Sequence, residues 1–412
     1  MKKNKVLIVL WRFPYPAIDG TRYKILNNIV APLAGIYDIE FLIVSIESVT
    51  PEQVEYVENN FGKVHLFKRS KINFLLNFFK GFFVGLPMQV TGYYLKGAQK
   101  WLNENIQNYD AVYVHEIRTS EYFKNVTNKS KIIFDFNDAI SLNYKQNMKF
   151  ANFPMNIFYY IEGRRVASYE KRVLGMFENY NVVAKYDRDY LLKMLPSGNS
   201  NNNLSLSQNF TTIPHGVSVN NDHNQTQNQS VAKNIFFVGS LGYAPNRDAV
   251  KCFLKNIWPK IHAILPEVKF FVIGKGYRFG GFDKLHNVYF PGFVPSLVNY
   301  INENDCGIMV APLRFGSGTP SKIIEAMSMG LPVITTPVAC QGIDGVINGH
   351  DIVLIESEKI DEWVDSIVHL INNIDEQKNI GQNAKNFIIE NNEITVVQKQ
   401  WLDVFSKITK NK

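Results

Sequence analysis

The apolar positions of the chain fall into short runs separated by amphipathic stretches. Residues 6–10 (VLIVL) are continuously apolar, too few for a helix and rich in β-branched side chains, so they read as a buried strand. A loop with two prolines and a glycine follows over 13–20, then helix-period residues over 23–33. Residues 38–45, 64–67, 111–115, 131–136 and 180–184 are further strand-like runs. Strands alternating with helical patterns predict a parallel sheet with helices on both faces. Between 196 and 234 the periodicity vanishes and Asn, Ser and Gln dominate, a composition that cannot offset the entropy of ordering. That span reads as a linker, with 210–217 (FTTIPHGV) as an apolar island. Alternation then resumes. Strands are expected over 234–238, 269–273, 288–289, 306–311, 333–335 and 352–355. Helices are expected over 248–264, 297–302, 321–329 and 361–373, and helical pattern continues from 376 to 408. No internal repeat of 20 to 50 residues is visible.

The expected fold class is therefore α/β, with two Rossmann-like domains facing each other across a cleft. The boundaries read as 1–195 for an N-terminal domain, 196–233 for the Asn/Ser-rich linker and 234–395 for a C-terminal domain. A final helix, 396–412, is expected to return to the first domain. The length of 412 residues agrees, since one core seldom holds so many. In open parallel sheets ligands bind beyond the carboxyl ends of the strands, so the loops after each strand are where chemistry is sought.

Lys2, Lys3 and Lys5 precede the first apolar run, but Trp11, Arg12 and two prolines end it before a secretory segment could form. Cys252, Cys306 and Cys340 are far apart and odd in number, which fits a reducing cytoplasm rather than a disulfide framework or a metal site. A net charge of +7 favours anionic partners, and without a dense Lys/Arg block a small anion or an anionic membrane is expected rather than nucleic acid. Two stretches mix basic and bulky apolar residues: 68–80 (KRSKINFLLNFFK), and 145–165 with Phe150, Phe153, Phe158, Tyr159 and Tyr160. Such composition suits the edge of an anionic bilayer, or else core helices with snorkelling lysines. The expected location is thus cytoplasmic, with peripheral contact at the inner face of the membrane.

The most informative segment is 311–332, APLRFGSGTPSKIIEAMSMGLP. A strand runs into a loop with Gly316 and Gly318. Thr319 suits a helix cap and Pro320 the first helical position. Lys322 falls in the first turn and Glu325 one turn later on the same face, while Gly330 is placed to close the helix before Pro332. A glycine loop feeding a helix N-terminus is an anion site, because free N–H groups and the helix dipole point at the ligand. Arg314 and Lys322 add charge suited to a diphosphate, and a carboxylate just beyond can accept from both hydroxyls of a ribose. Glycine loops before helices also occur without ligands, and Lys–Glu pairs three apart are common on surfaces, so spacing alone leaves both readings open.

The same segment resembles the donor motif of retaining glycosyltransferase family 4, of the GT-B fold. Within that family it resembles the bacterial sugar transferases associated with exopolysaccharide systems. Residues 236–249 (FFVGSLGYAPNRDA), 271–276 (FVIGKG), 291–294 (PGFV), 12–22 (RFPYPAIDGTR), 135–144 (DFNDAISLNY) and 162–170 (EGRRVASYE) resemble further landmarks in order. The resemblance implies that Glu325 binds the nucleotide ribose, and that Gly316, Ser317, Gly318 and Thr319 present backbone N–H groups to sugar and diphosphate. Many members carry a glutamate where Ser317 stands, a departure that bears on the sugar. Ser240 stands where many have an arginine for the diphosphate, so Arg314 and Lys322 are expected to take that role. Gly20 matches the backbone approach to the donor, and His115 matches a histidine that touches the donor sugar. Asp19, Arg22, Glu116, Arg118 and Asp138 are acceptor-side candidates. Asp187 and Asp189 form a D-x-D at a helix start, where capping is ordinary, and no metal is expected.

The implied activity is transfer of a sugar from a nucleoside-diphosphate sugar to a hydroxyl of a glycan or lipid-linked acceptor, with retention. The nucleotide sugar is a co-substrate and no cofactor is expected. Two alternatives remain: a non-catalytic relative that binds a glycan or nucleotide, and a nucleotide-sugar epimerase. A dinucleotide dehydrogenase is disfavoured, because LWRF follows the first strand where a glycine fingerprint should be.

Overall fold

The first strand, β1 (Lys5–Leu10), is apolar on both faces and pairs in parallel with β2 (Asp38–Ser45) on one side and β4 (Ala111–His115) on the other. With β3 (Lys63–Lys68), β5 (Ile132–Asn137), β6 (Asn179–Val182) and β7 (Phe210–Thr212) they make a seven-stranded parallel sheet in the order β3-β2-β1-β4-β5-β6-β7. Parallel strands need helical crossovers that cover both faces, which is why Val6 to Leu10 and Ala111 to His115 are buried without alternation. This computed structural model describes residues 3–17, 20–195, 209–219, 233–276, 280–282, 285–316 and 320–410.

Helix α1, residues 20–33, follows β1; its centre, Lys24–Val30, widens to a π-helical turn. Helix α2 (Lys71–Val84) packs on α3 (Met88–Tyr93), and α4 (Ile140–Phe150) on α5 (Met155–Val173). Close packing of α2 on α3 needs glycine: a Cβ at Gly81 would stand 2.4 Å from Thr91 Oγ1.

A second parallel sheet has six strands in the order β10-β9-β8-β11-β12-β13. These are β8 (Asn234–Val238), β9 (Phe270–Ile273), β10 (Val288–Gly292), β11 (Cys306–Ala311), β12 (Val333–Thr335) and β13 (Val353–Leu354). The helix after β8, α6, spans residues 244–264, and α7 (Ser321–Ser328) follows β11. The last helix is α8 (Ile394–Lys410).

The chain divides into two compact units, residues 1–216 with 394–412, and residues 217–393. The span read as linker differs in one respect. Phe210 is buried and β7 is the last strand of the first sheet, so the apolar island within that span supplies an edge strand. The α/β class with two parallel sheets is as the alternation predicts. In each sheet the strand order reverses once, at β1/β4 and at β8/β11. Those reversals are where a ligand crevice forms in open α/β sheets.

Candidate functional site

In the second unit the reversal lies between the loops that follow β8 and β11. The β8 loop is drawn tight against the β9 loop: Gly239 N donates to Ile273 O at 2.9 Å and Leu241 N to Lys275 O at 2.9 Å. Gly274 has φ +147°, and a Cβ there would stand 1.9 Å from Gly239 O, so only glycine allows this approach. The loop after β11 is tied down from β12, where Thr335 Oγ1 donates to Ala311 O at 2.7 Å and Thr336 Oγ1 to Leu313 O at 2.5 Å.

Helix α7 buries Ile323, Ile324, Ala326 and Met327 on the core, while Lys322 is half-buried and Glu325 exposed. It begins at Ser321 rather than at Pro320. Pro320 has ψ 77°, outside the helical range, and takes the cap position without a side-chain acceptor. The N–H groups of the first turn therefore have no side-chain cap at that position. Gly330 closes the helix in the left-handed conformation, φ +75°. Ser317, Gly318 and Thr319 lie outside the described residues, and Gly316, φ +139°, is the last described residue before them.

Lys322 Nζ donates to Asn246 Oδ1 and stands 5.2 Å from the centre of the Phe237 ring. Asn246 Nδ2 in turn donates to Ser240 O at 2.8 Å, so one amide links α7 to the β8 loop. Burial lowers the Lys322 pKa to about 8. Glu325 has an exposed side chain without a side-chain hydrogen bond among the described residues, and the protein around its carboxyl still raises its pKa. Arg314 is differently placed from the sequence expectation. Its guanidinium is engaged by Asp248 of α6, Nε to Oδ2 at 2.7 Å and Nη2 to Oδ1, and those hydrogen bonds raise its pKa. A bidentate carboxylate already offsets its charge, whereas Lys322 is held by the neutral amide of Asn246.

The first unit carries a second cluster, at the carboxyl ends of β4 and β5. His115 ends β4 with a fully buried side chain. Its Nδ1 lies 3.1 Å from Tyr113 Oη and 3.8 Å from Asp135 Oδ2. Its Nε2 lies 3.3 Å from Glu116 Oε1 but makes no hydrogen bond among the described residues. Burial lowers the His115 pKa to about 4, against the opposing pull of Asp135. Asp135 accepts from Lys24 Nζ at 2.8 Å, Tyr113 Oη at 2.5 Å and Asn181 Nδ2 at 2.8 Å. Burial would raise its carboxyl, but the Lys24 ammonium and His115 outweigh that and hold it below the ordinary range. Lys24 and Asp135 are both fully buried and sit 111 residues apart in sequence. No pattern in the chain announces them; a lysine within an apolar helix stripe and an aspartate within a strand are the nearest signals.

Asp138, just beyond β5, has an unpaired Oδ1, and burial followed by the charge of Asp187 raises its carboxyl. The backbone is strained here: Glu116 (φ 59°) and Asn137 (φ 62°) are non-glycine residues in the left-handed region. His215 belongs to the same neighbourhood, where burial and then Lys24 lower its pKa to about 3.

The remaining acceptor-side candidates scatter. Glu116 and Arg118 pair with one another, and the Arg118 guanidinium lies over Trp11 at 4.4 Å. Arg22 donates to Phe13 O at 3.0 Å and pairs with Glu47, which ties the β1 loop to α1. Gly20 opens α1 with open space where a Cβ would stand, so nothing described in its surroundings demands glycine. Asp19 lies outside the described residues. Asp187 accepts from Ala139 N at 3.0 Å, and Asp189 pairs with Arg188.

Residues 232–373 match the family model of the group 1 glycosyl transferases. Over 94% of its length the chain is 22% identical to an uncharacterized 44.6 kDa protein in the cps region of Klebsiella pneumoniae, and covers 96% of that protein. Among solved structures it resembles a sucrose-phosphate synthase from Thermosynechococcus elongatus, with TM-score 0.66 and 12% identity over the full length of both chains. It also resembles HepE of Anabaena in complex with UDP and glucose, with TM-score 0.60 and 13% identity over 98% of this chain and 99% of that one. At such identities the likeness shows the fold, the two-domain α/β class of GT-B glycosyltransferases. Family match and fold together support a glycosyltransferase.

Proposed function

We propose that the chain transfers a sugar from a nucleoside-diphosphate sugar to a hydroxyl of a glycan or lipid-linked acceptor, with retention, in the synthesis of a surface polysaccharide. One observation carries this reading. At the strand reversal of the second unit, within the residues that match the glycosyl transferase model, Glu325 offers a carboxylate without a hydrogen bond among the described residues, one turn from Lys322. In this reading Glu325 accepts hydrogen bonds from the ribose hydroxyls. Lys322, the first turn of α7 and the backbone from Gly316 to Thr319 hold the diphosphate. Arg314 acts at one remove, through Asp248. The relative from a cps region and the UDP and glucose bound to HepE support the substrate class.

Chemistry follows from charge. As the acceptor oxygen bonds to the anomeric carbon, the bond to the diphosphate breaks on the same face. The acceptor proton passes to the departing phosphate oxygen. Lys322 and the helix N–H groups stabilise the charge that develops there, the work a metal does in other transferases. His115, neutral because it is buried, offers Nε2 to a sugar hydroxyl, and Asp138 serves the acceptor side.

Thermal shift against UDP-, GDP-, ADP- and dTDP-sugars, on wild type and Glu325→Ala, tests the donor site. A ligand bound only by the folded state raises Tm. One nucleotide class is expected to stabilise the wild type and to lose most of that effect in the variant. Equal shifts in both proteins would remove Glu325 from the site. No shift from any nucleotide would favour a non-catalytic relative.

A further inference from the structure

A helix on a protein surface normally turns a polar face to water. Helix α2 does not. Its inner face, Phe74, Asn77, Phe78 and Gly81, packs at helical spacing against α3 and its surroundings. The opposite face is also apolar at helical spacing: Ile72, Leu75, Leu76, Phe79 and Phe83 are exposed, Phe83 at 86% and Ile72 at 71%. The start of α5 continues the theme with Phe153 (77% exposed), Met155, Ile157 and Tyr160.

These are one surface rather than two. Arg165 of α5 donates from Nη2 to Phe82 O at 2.8 Å and lies 4.2 Å from the Phe82 ring centre, which fastens the end of α2 to α5. Between them is an apolar pocket of about 320 Å³, lined by Phe82, Met88, Phe153, Ile157, Phe158 and Ile161 among others. Single exposed apolar residues are unremarkable on a soluble protein, but a contiguous aromatic and aliphatic face with a pocket in it marks an interaction site.

Charge identifies the occupant. Residues 71–84 and 145–165 contain Lys71, Lys80, Lys145, Lys149, Arg164 and Arg165, and a single acid, Glu162, which is buried. A protein partner with an apolar patch needs no such excess of one sign. The headgroup layer of an anionic bilayer does, with apolar side chains reaching the acyl boundary and basic ones at the phosphates. No described helix is long and apolar enough to cross a membrane, so the contact is with the surface. We infer that the outer faces of α2 and the start of α5 dock on an anionic lipid bilayer, with a hydrocarbon chain entering the pocket beside Phe82 and Phe153. The α4–α5 hairpin that carries part of this face leaves the first sheet directly after Asp138, so docking sets the polar cluster of the first unit close to lipid.

Co-sedimentation of the full chain with vesicles tests this, using phosphatidylcholine alone and phosphatidylcholine with phosphatidylglycerol. Binding is expected to the mixed vesicles, to weaken with salt, and to fall roughly tenfold or more in Phe83→Glu and Phe153→Glu. Both side chains are exposed, so these variants are expected to fold, which circular dichroism and an unchanged Tm would verify. The test is independent of the donor reading. Absence of binding to either vesicle overturns the inference, as does binding that survives both substitutions. Sedimentation of a dimer that both substitutions dissolve, without lipid binding, would assign the face to a second copy of the chain.

Discussion

At the scale of single residues, the charge of Lys322 is the property on which the proposed donor site depends. Its ammonium sits over Phe237 and against Asn246, and burial brings its pKa down to about 8. A diphosphate favours the charged form, so above that pH binding must take up a proton. Affinity for the nucleotide is expected to be flat up to about pH 7.5 and then to fall by as much as about tenfold per pH unit above 8. Calorimetry in buffers of different ionisation enthalpy would read the proton uptake directly. Lys322→Met should bind more weakly throughout and lose the slope; a slope that persists in the variant would assign the titration elsewhere. Lys322 and Glu325, the residues proposed for that site, could be singled out in the sequence because a strand, a glycine loop and a helix start are all local signals. Asn246 could not, since its partner lies 76 residues away and an asparagine early in a helix has many uses. The engagement of Arg314 by Asp248 was hidden for the same reason, and it moved the weight among the cations.

At the scale of elements, the α4–α5 hairpin hangs on a buried carboxyl. Glu170 of α5 accepts from Ser141 N at 3.2 Å and from Ser141 Oγ, at the start of α4. Burial raises its pKa to about 7. With the folded pKa above the unfolded one, the neutral form is favoured by folding. The associated stability is complete below about pH 4.5 and is lost as pH rises through 7. Glu170→Gln is neutral at every pH and keeps an acceptor for Ser141. It should match the wild type near pH 4.5 and melt several degrees higher at pH 8, measured by thermal denaturation across that range. A constant offset between the two proteins would mean that Glu170 titrates normally. Central strands such as β1, β8 and β11 were readable from their unbroken apolar runs, whereas β7 lay inside the span read as linker. Helix α2 was harder. Residues 71–84 carry bulky apolar side chains on two opposite faces, so periodicity could not say which of the two is covered. Only the packing of Gly81 and Phe74 on α3 separates the inner side from the outer. The buried pair Lys24–Asp135 was likewise out of reach, because the widened turn of α1 and the end of β5 meet only once the sheet exists.

At the scale of the whole molecule, the chain leaves its first unit after Gly216 and re-enters it at Ile394. The crossings are adjacent, with Val217 N donating to Asn392 O at 2.8 Å. What returns is α8, and it completes the first unit's core. Val397, Trp401 and Phe405 are fully buried in a cluster with Val6, Ile8, Ile25 and Tyr113. Trp401 meets the Tyr113 ring edge-on at 5.7 Å. Tyr113 carries the hydroxyl that reaches both His115 and Asp135, so the last helix braces the polar cluster through one aromatic contact. Trp401→Ala removes that brace at an expected cost of about 3–5 kcal/mol. The loss should be local. Hydrogen exchange is expected to quicken in β1, β4 and α1 and to stay unchanged in β8, β11 and α7, whose core contains no residue of α8. Nucleotide binding by the variant should therefore persist while transfer falls, because the cluster around His115 has loosened. Faster exchange in both units alike would mean that they unfold as one cooperative body. Lost nucleotide binding with normal exchange in α7 would mean that the donor site draws on the first unit as well.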